Sequence, residues 1–329
     1  MILAGDIGGT KTVLAICDQD LSIKRQDVFP CAEYPSLEAI LDRFLLPGDR
    51  AGLTAACFGV AGPVVDGSAK ITNLTWTIDA ARLSPRLGGI PVTLLNDLQA
   101  TALGTLVLPD LTFAVLQPGA APVQNGSIAV IAPGTGLGEA LLVFDGAHYR
   151  ALPSEGGHAD FAPGNDEELA LWQFLRARHG DHVSYERVLS GDGIGDLYDF
   201  VRRATGAAEP AWLTAEIAGH DRNATISKAA LDGRDATCVH ALDMFAEILG
   251  AEAGNLALRG LATGGVVIGG GIPPKILPVL QHERFVRRFN AKGRFAPWTR
   301  ALRVRVALEP RAALFGAAHH AATYKDPRS

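Results

Sequence analysis

Two stretches of the chain share one layout: an apolar run, a turn built from glycine and threonine, and a second apolar run. Residues 2–16 hold Gly5-Asp6-Ile7-Gly8-Gly9-Thr10 between their runs, and residues 128–143 hold Gly134-Thr135-Gly136-Leu137-Gly138. Each reads as a β-hairpin, and their recurrence implies a duplicated architecture with one hairpin opening each lobe. Neither turn fits the GxxxxGK[ST] phosphate loop or the GxGxxG turn that follows a strand and opens a helix. At 329 residues the chain also exceeds a usual single domain of roughly 100–200 residues. Two lobes with a cleft between them are therefore expected.

Composition narrows the function classes. Glycine is over-used, 37 residues or about 11% against a usual ~7%, and it gathers beside strand-like runs, as turns built around a ligand would require. The formal charge is −5 with no long basic run, so the footprint of a nucleic-acid binder is missing. Cys17, Cys31, Cys57 and Cys238 lie far apart, without the spacing of a zinc or redox pair, and read as buried thiols of a reducing compartment. No basic leader and no stretch of 18 apolar residues is present. A cytoplasmic protein with no membrane or nucleic-acid partner is expected.

Between the hairpins, residues 55–60 and 91–95 read as strands and 97–106 as a helix starting where the second strand ends. Beyond the second hairpin, 166–179, 184–189, 195–203 and 236–259 read as helices. Residues 263–268 read as a buried strand before the Gly269-Gly270-Gly271 turn, with a further helix near Pro274. Residues 302–308 alternate as a late strand, and Pro310 can sit in the first turn of a last helix through Ala322.

Several of these positions carry chemistry. Gly8 and Gly9 let backbone N–H groups approach an anion, Thr10 adds a hydroxyl donor, and Asp6 can orient a magnesium-bound water. The bland alternative is a glycine-stabilised hairpin with a surface Asp. Asp97, at a strand C-terminus, can accept a hydroxyl proton or act as N-cap of the following helix. Asn96 offers donor and acceptor to vicinal hydroxyls, or simply forms a turn. Glu155, His158 and Glu186 carry acceptors and a donor that could meet adjacent hydroxyls of a polyol, with Gly156 and Gly157 letting the backbone curl. Glu186 would otherwise be a solvated helix face, and His158 a zinc ligand lacking companions.

Taken together and in this order, the two hairpins, Leu95-Asn96-Asp97, Glu155-Gly156-Gly157-His158, Glu186-Arg187-Val188-Leu189-Ser190-Gly191 and Gly269-Gly270-Gly271-Ile272 closely resemble the bacterial glucokinase family of the hexokinase/actin-like ATPase superfamily. The resemblance runs from about residue 3 to about residue 320. It implies a two-lobed α/β fold of the actin-like ATPase (ribonuclease H-like) type, with a small lobe of residues 1–107 plus a C-terminal helix, 309–329, and a large lobe of residues 108–308. It implies ATP-dependent phosphorylation of glucose at the 6-hydroxyl, with Asp97 as base. The sugar would be held by Asn96, Asp97, Gly136, Glu155, His158 and Glu186. ATP would lie along the Gly5-Asp6-Ile7-Gly8-Gly9-Thr10 turn, Gly134 and Thr135, and Gly270 and Gly271. Magnesium, reached through water from Asp6, and a homodimer complete the expectation; zinc is not expected.

The chain also resembles ROK-type sugar kinases and repressors at residues 6–12 and 155–158. Their cysteine-rich zinc segment is replaced here by Ala159-Asp160-Phe161-Ala162-Pro163, and the phosphate turn starts at residue 5, leaving no room for a DNA-binding helix pair. Lys11, Thr12 and Ser154 depart from residues common in the glucokinase group. The open alternatives are a kinase of mannose or fructose, a ROK-type sugar kinase, a polyphosphate-using enzyme, or a non-catalytic sugar sensor. Retention of Asp97 argues against the sensor, which needs sugar contacts but no base.

Overall fold

The computed structural model describes residues 1–71 and 74–323. They divide into two compact units: Met1–Thr112 with Ala147–Pro153 and the segment from Glu309, and Phe113–Gly146 with Ser154–Leu308.

The first unit is built on β1 (Ile2–Ile7), β2 (Lys11–Cys17), β3 (Ile23–Pro30) and β4 (Ala55–Val60). A small antiparallel sheet of β5 (Val64–Val65), β6 (Ser68–Lys70) and β7 (Thr77–Asp79) follows, and β8 (Val92–Asn96) completes the main sheet in the order β3-β2-β1-β4-β8. β1 is apolar except for Asp6 because both its faces are covered: Ile2, Leu3, Ala4 and Ile7 are wholly buried. β1 pairs antiparallel with β2 and parallel with β4, which pairs parallel with β8.

In the second unit, β9 (Phe113–Gln117), β10 (Ile128–Pro133) and β11 (Leu137–Phe144) precede β12 (Tyr149–Ser154), most of which belongs to the first unit; β13 (Gly265–Ile268) and β14 (Val304–Ala307) follow. Within the second unit the strands run β11-β10-β13-β14-β9. β10 pairs antiparallel with β11 and parallel with β13, which pairs parallel with β14. The set β2-β1-β4-β8 is thus repeated as β11-β10-β13-β14, the duplication expected from the two glycine hairpins.

Helices position the site residues. Asp97–Gly104 leaves the end of β8, and Ala312–Thr323 crosses it so closely that a Cβ at Gly316 would overlap the Ala100 carbonyl and one at Gly104 the Ala312 carbonyl. In the second unit the long helix Ala236–Arg259 is capped by Asp235, whose Oδ1 accepts from the Cys238 N–H at 2.8 Å, and it buries Leu242, Phe245 and Leu249 in the core.

Asp166–His179 and Ala236–Arg259 occupy the expected helical spans. The helix expected over 195–203 starts earlier, at Gly191, because Ser190 caps it by accepting from the Gly193 N–H at 3.1 Å. The helix expected over 184–189 is only a 3-10 turn, Tyr185–Arg187, so Glu186 sits on a turn. Near Pro274 a short helix, Leu277–Leu280, forms. The last helix begins at Ala312, not in the turn of Pro310; the expectation for 324–329 lies outside the described residues.

Candidate active site

In the first unit the glycine turn after β1 is closed by the Gly8 N–H donating to the Lys11 carbonyl at 3.0 Å, and the Cys31 N–H donates to the Thr10 carbonyl at 2.8 Å. Gly9 and Thr10 face solvent to differing degrees, while Gly5 and Ile7 lie within the strand. Thr12 is wholly buried and its hydroxyl meets the Cys31 thiol at 3.4 Å, so this departure from the family's usual residue is absorbed behind the turn. Asp6, half-buried, has its carboxyl pushed up to about 6 by burial and then by the negative charge of Asp97, against a smaller opposing pull from Lys11. Two acids of this unit therefore feel one another.

Asp97 is not the N-cap of its helix. Asn96 is: its extended backbone is the last of β8, its Oδ1 accepts from the Leu98 N–H at 2.9 Å, and Gln99 Oε1 accepts in return from the Asn96 N–H at 3.1 Å, a capping box. Asn96 Nδ2 also donates to the Gly62 carbonyl at 3.1 Å. Asp97 occupies the first helical position, exposed, with Oδ1 accepting from the Leu98 N–H at 2.8 Å. Gln99 Nε2 donates to the Ala151 carbonyl at 2.9 Å, tying this helix to the strand that leads into Glu155.

In the second unit, Glu155, the Gly156–His158 turn and Glu186 come together. His158 Nε2 stands 3.8 Å from Glu155 Oε2, and its Nδ1 stands 3.8 Å from Glu186 Oε1. Glu186 Oε2 accepts from the Leu137 N–H at 3.0 Å, which anchors it to the second glycine turn, and a Cβ at Gly136 would overlap that oxygen. Ser154, another departure from the family pattern, accepts from the Gly156 N–H through its Oγ at 2.9 Å. A polyol facing this turn meets two carboxylates and an imidazole, acceptors and a donor suited to adjacent hydroxyls.

The glycine turn itself is braced by the Gly134 N–H donating to the Gly136 carbonyl at 2.8 Å and by the Gly191 N–H donating to the Gly134 carbonyl at 2.9 Å. Gly270, at φ 87°, and Gly271 follow β13. A cavity of about 480 Å³ opens beside Gly134 and Thr135, with Ile194, Leu231, Ile272 and Ile276 as apolar wall and Asp192, Asn223 and Lys275 as polar groups. An adjoining cavity of about 360 Å³ shares Thr135, Asp192 and Asn223 and reaches Glu186. Asp192, Asn223 and Lys275 were not singled out from the sequence; Asp192, directly after Ser190-Gly191, is the one that a helix-start signal could have found. Among the described residues, no cluster of three or more His, Cys, Asp or Glu side chains gathers to hold a metal ion. Among them, too, no helix is long and apolar enough to cross a membrane.

A family model described as Glucokinase matches residues 3–324. The glucokinase of Nostoc punctiforme is 41% identical over 334 residues, spanning 97% of this chain and 98% of that protein. The glucokinase of Synechocystis sp. is 37% identical and spans 96% of each. Among solved structures, a glucokinase from an Antarctic psychrotroph superposes with a TM-score of 0.87 at 33% identity, covering 98% of this chain and 99% of that one. A ROK family glucokinase from Streptomyces griseus, solved with glucose and AMPPNP, shares the fold at a TM-score of 0.65 and 23% identity, covering 98% and 99%. Duplicated sheets, glycine turns and the order of the acidic motifs agree with these likenesses: the fold is the two-lobed actin-like ATPase fold, and the chain belongs to the glucokinase family.

Proposed function

We propose that this protein transfers the γ-phosphoryl group of ATP to the 6-hydroxyl of glucose. The observation that carries the reading is the mutual influence of Asp97 and Asp6, one acid at a helix start and the other in a glycine turn. Phosphoryl transfer to an alcohol needs those two tasks done separately: a base for the hydroxyl proton and an anchor near the metal-bound phosphates.

Asp97 accepts the proton of the attacking hydroxyl. Its Oδ1 is engaged by the Leu98 N–H, which orients the carboxylate without removing its basicity. Asn96 has its Oδ1 on the cap and one amide hydrogen on Gly62, leaving the other amide hydrogen for a sugar hydroxyl. Glu155, His158 and Glu186, with the close backbone at Gly136, hold the remaining hydroxyls. Carboxylates among the sugar-binding residues repel a sugar that already carries phosphate, so a neutral hexose is the substrate. In the second unit Gly134, Thr135, Gly270 and Gly271 would take the phosphates of ATP and the apolar-walled cavity beside Gly134 its adenosine; in the first unit the Gly5-Asp6-Ile7-Gly8-Gly9-Thr10 turn offers N–H groups to phosphate.

Magnesium fits the first unit, because Asp6 and Asp97 concentrate negative charge there, with Lys11 pulling the other way on Asp6. When bound it neutralises phosphate charge in the loose transition state. Asp6 would hold it through water.

The reading places the enzyme in the cytoplasm at the entry of glucose into glycolysis, in keeping with four buried free cysteines, and as a homodimer. The test is initial-rate ADP formation across glucose, mannose and fructose with ATP or polyphosphate, with and without magnesium, and phosphorus NMR of the product. Glucose with MgATP should give glucose 6-phosphate at the highest kcat/KM. No ADP formed with any hexose would support the sensor instead. Light scattering checks the dimer.

A further inference from the structure

Behind the sugar-side turn of the second unit lies a buried acid pair that the chemistry above does not use. Glu139, on β11 two residues past Leu137, and Glu252, within the helix Ala236–Arg259, are both wholly buried. The Glu139 carboxyl lies against the sugar-side turn, since a Cβ at Gly156 would overlap its Oε2 and displace that carboxyl.

The donors around the pair are unevenly shared. Glu252 Oε1 takes the Arg259 guanidinium, and its Oε2 accepts from Asn255 Nδ2 at 2.9 Å. Neither Glu139 oxygen receives a bond from an N–H or hydroxyl group, and Arg259 Nη1 is 3.8 Å away. Two carboxylates side by side cannot both ionise cheaply, and a lone acidic proton is best kept by the one without donors. Glu139, without donors, is therefore the one of the two that keeps a proton, facing the Glu252 side chain that holds the donors. Burial and the neighbouring Glu252 charge push the Glu139 carboxyl up, with Arg259 opposing.

The network continues to the other sugar-side segment. Asn255 Nδ2 donates to the Tyr185 hydroxyl at 3.2 Å, Tyr185 directly precedes Glu186, and the Tyr185 N–H donates to the Ala159 carbonyl, next to His158, at 3.0 Å. Lys292 Nζ donates to Asn255 Oδ1 at 2.6 Å and to the Ala251 carbonyl at 2.7 Å. The charged and titratable groups facing the pair are thus Arg259 on its own helix, Tyr185 from the turn and Lys292 from the loop, with the Arg288–Glu168 ion pair, 2.6 Å, beyond Lys292.

We propose that Glu139 is a positioning residue for glucose binding: protonated, it holds the Gly156–His158 turn and the Glu186 turn in one arrangement, and its ionisation loosens the sugar contacts. Ionisation releases the proton to solvent and leaves two carboxylates against one guanidinium directly beneath Gly156. The strain falls on Glu155 and His158, while Asp97, in the other unit, keeps its role as base. The inference rests on the glucokinase reading.

The experiment measures glucose KM, ATP KM and kcat of the full chain from about pH 6.5 to 9.5, for wild type and Glu139→Gln. The amide of the variant donates to Glu252 at every pH. Wild-type glucose KM should rise roughly three- to tenfold as the linked proton leaves, centred near 8, with a smaller change in ATP KM; in Glu139→Gln glucose KM should stay flat. A flat wild-type profile overturns the proposal. So does an unchanged rise in Glu139→Gln, which would assign the limb to Lys292, whose ammonium burial lowers to about 8. Should Glu139→Gln not fold, Lys292→Met decides: keeping the rise supports Glu139, and losing it overturns the proposal. Absence of any phosphate transfer to glucose at pH 7 would instead strike the functional reading itself.

Discussion

The two glycine hairpins have the same strand pairing and differ in the acid each one keeps. In the first, Asp6 stands on the strand entering the turn, half-buried, and its neighbour in charge is Asp97, an exposed carboxylate at a helix N-terminus. In the second, Glu139 stands on the strand leaving the turn, wholly buried, and its neighbour is Glu252, already saturated by Arg259 and Asn255. Like-charge pairs raise a carboxyl in both places. Only the first pair has access to solvent and to an incoming ligand, so only there can the protons and charges take part in turnover. The duplication supplied one frame twice, and the access of the acid separates a reacting hairpin from a supporting one.

The largest expected effect breaks the first pair. Asp97→Asn cannot accept the proton, and kcat should fall on the order of 10²–10⁴, the usual contribution of a positioned base. Because Asn96 is the cap, the capping box survives, and the change in thermal midpoint should stay within about 1 kcal/mol equivalent from the lost charge at the helix start. The same substitution removes the charge that raises Asp6, so the Asp6 carboxyl, followed by carbon-13 NMR, should titrate below its present value of about 6. Turnover within a factor of about five of wild type would remove Asp97 from the base role, since a general base contributes far more.

Asp6→Asn comes next. Loss of one charge-assisted contact to the metal's water should lower kcat/KM for MgATP roughly 10- to 100-fold, with glucose affinity by calorimetry little changed. In the wild type, activity should decline as pH falls through about 6, where Asp6 takes up its proton. An Asp6→Asn enzyme that responds to magnesium as the wild type does would leave the first hairpin without a metal role.

Much of the first-order pattern was legible because it is local. Alternating apolar runs around glycine turns produced both hairpins, and 3.6-residue periodicity produced Asp166–His179 and Ala236–Arg259. Strands of two or three residues, such as Val64–Val65, are too short to carry a period. The helix Glu283–Asn290 was missed although Phe285 and Phe289 repeat at four residues, because five of its eight residues are charged or polar. The cap moved by one position because Asn96 and Asp97 are both good capping residues, and only the end of β8 decides between them. Gln99 bonds to Ala151 across 52 residues of chain, a pairing no local pattern encodes. Glu139 did leave a trace: an acid inside Leu137-Gly138-Glu139-Ala140-Leu141-Leu142 is out of place in an apolar strand unless something buried meets it.

A smaller effect tests the sugar side of the second hairpin. In Gly136→Ala the new methyl overlaps Glu186 Oε2, which must swing off the Leu137 N–H. Losing that anchor should raise glucose KM about tenfold, the value of roughly one hydrogen bond to a charged group. ATP KM should rise less. Equal increases for both substrates would move Gly136 from the sugar to the nucleotide side.

The smallest expected effect separates the two hairpins by stability alone. A carboxyl whose folded pKa is raised binds a proton in the folded state that the unfolded chain has already lost, so its stabilising share is complete below the unfolded value and disappears as pH rises to the folded value. For Glu139 that window runs from 4.5 to about 8, and for Asp6 from 3.8 to about 6. The slope inside a window is at most about 1.4 kcal/mol per pH unit, and Arg259 reduces what Glu139 delivers. The thermal midpoint of Glu139→Gln minus that of wild type should therefore climb by a few degrees between about pH 5 and 8 and then level off. The corresponding difference for Asp6→Asn should level off near pH 6. Coincident curves for the two variants would erase the distinction between a buried supporting acid and a half-buried reacting one.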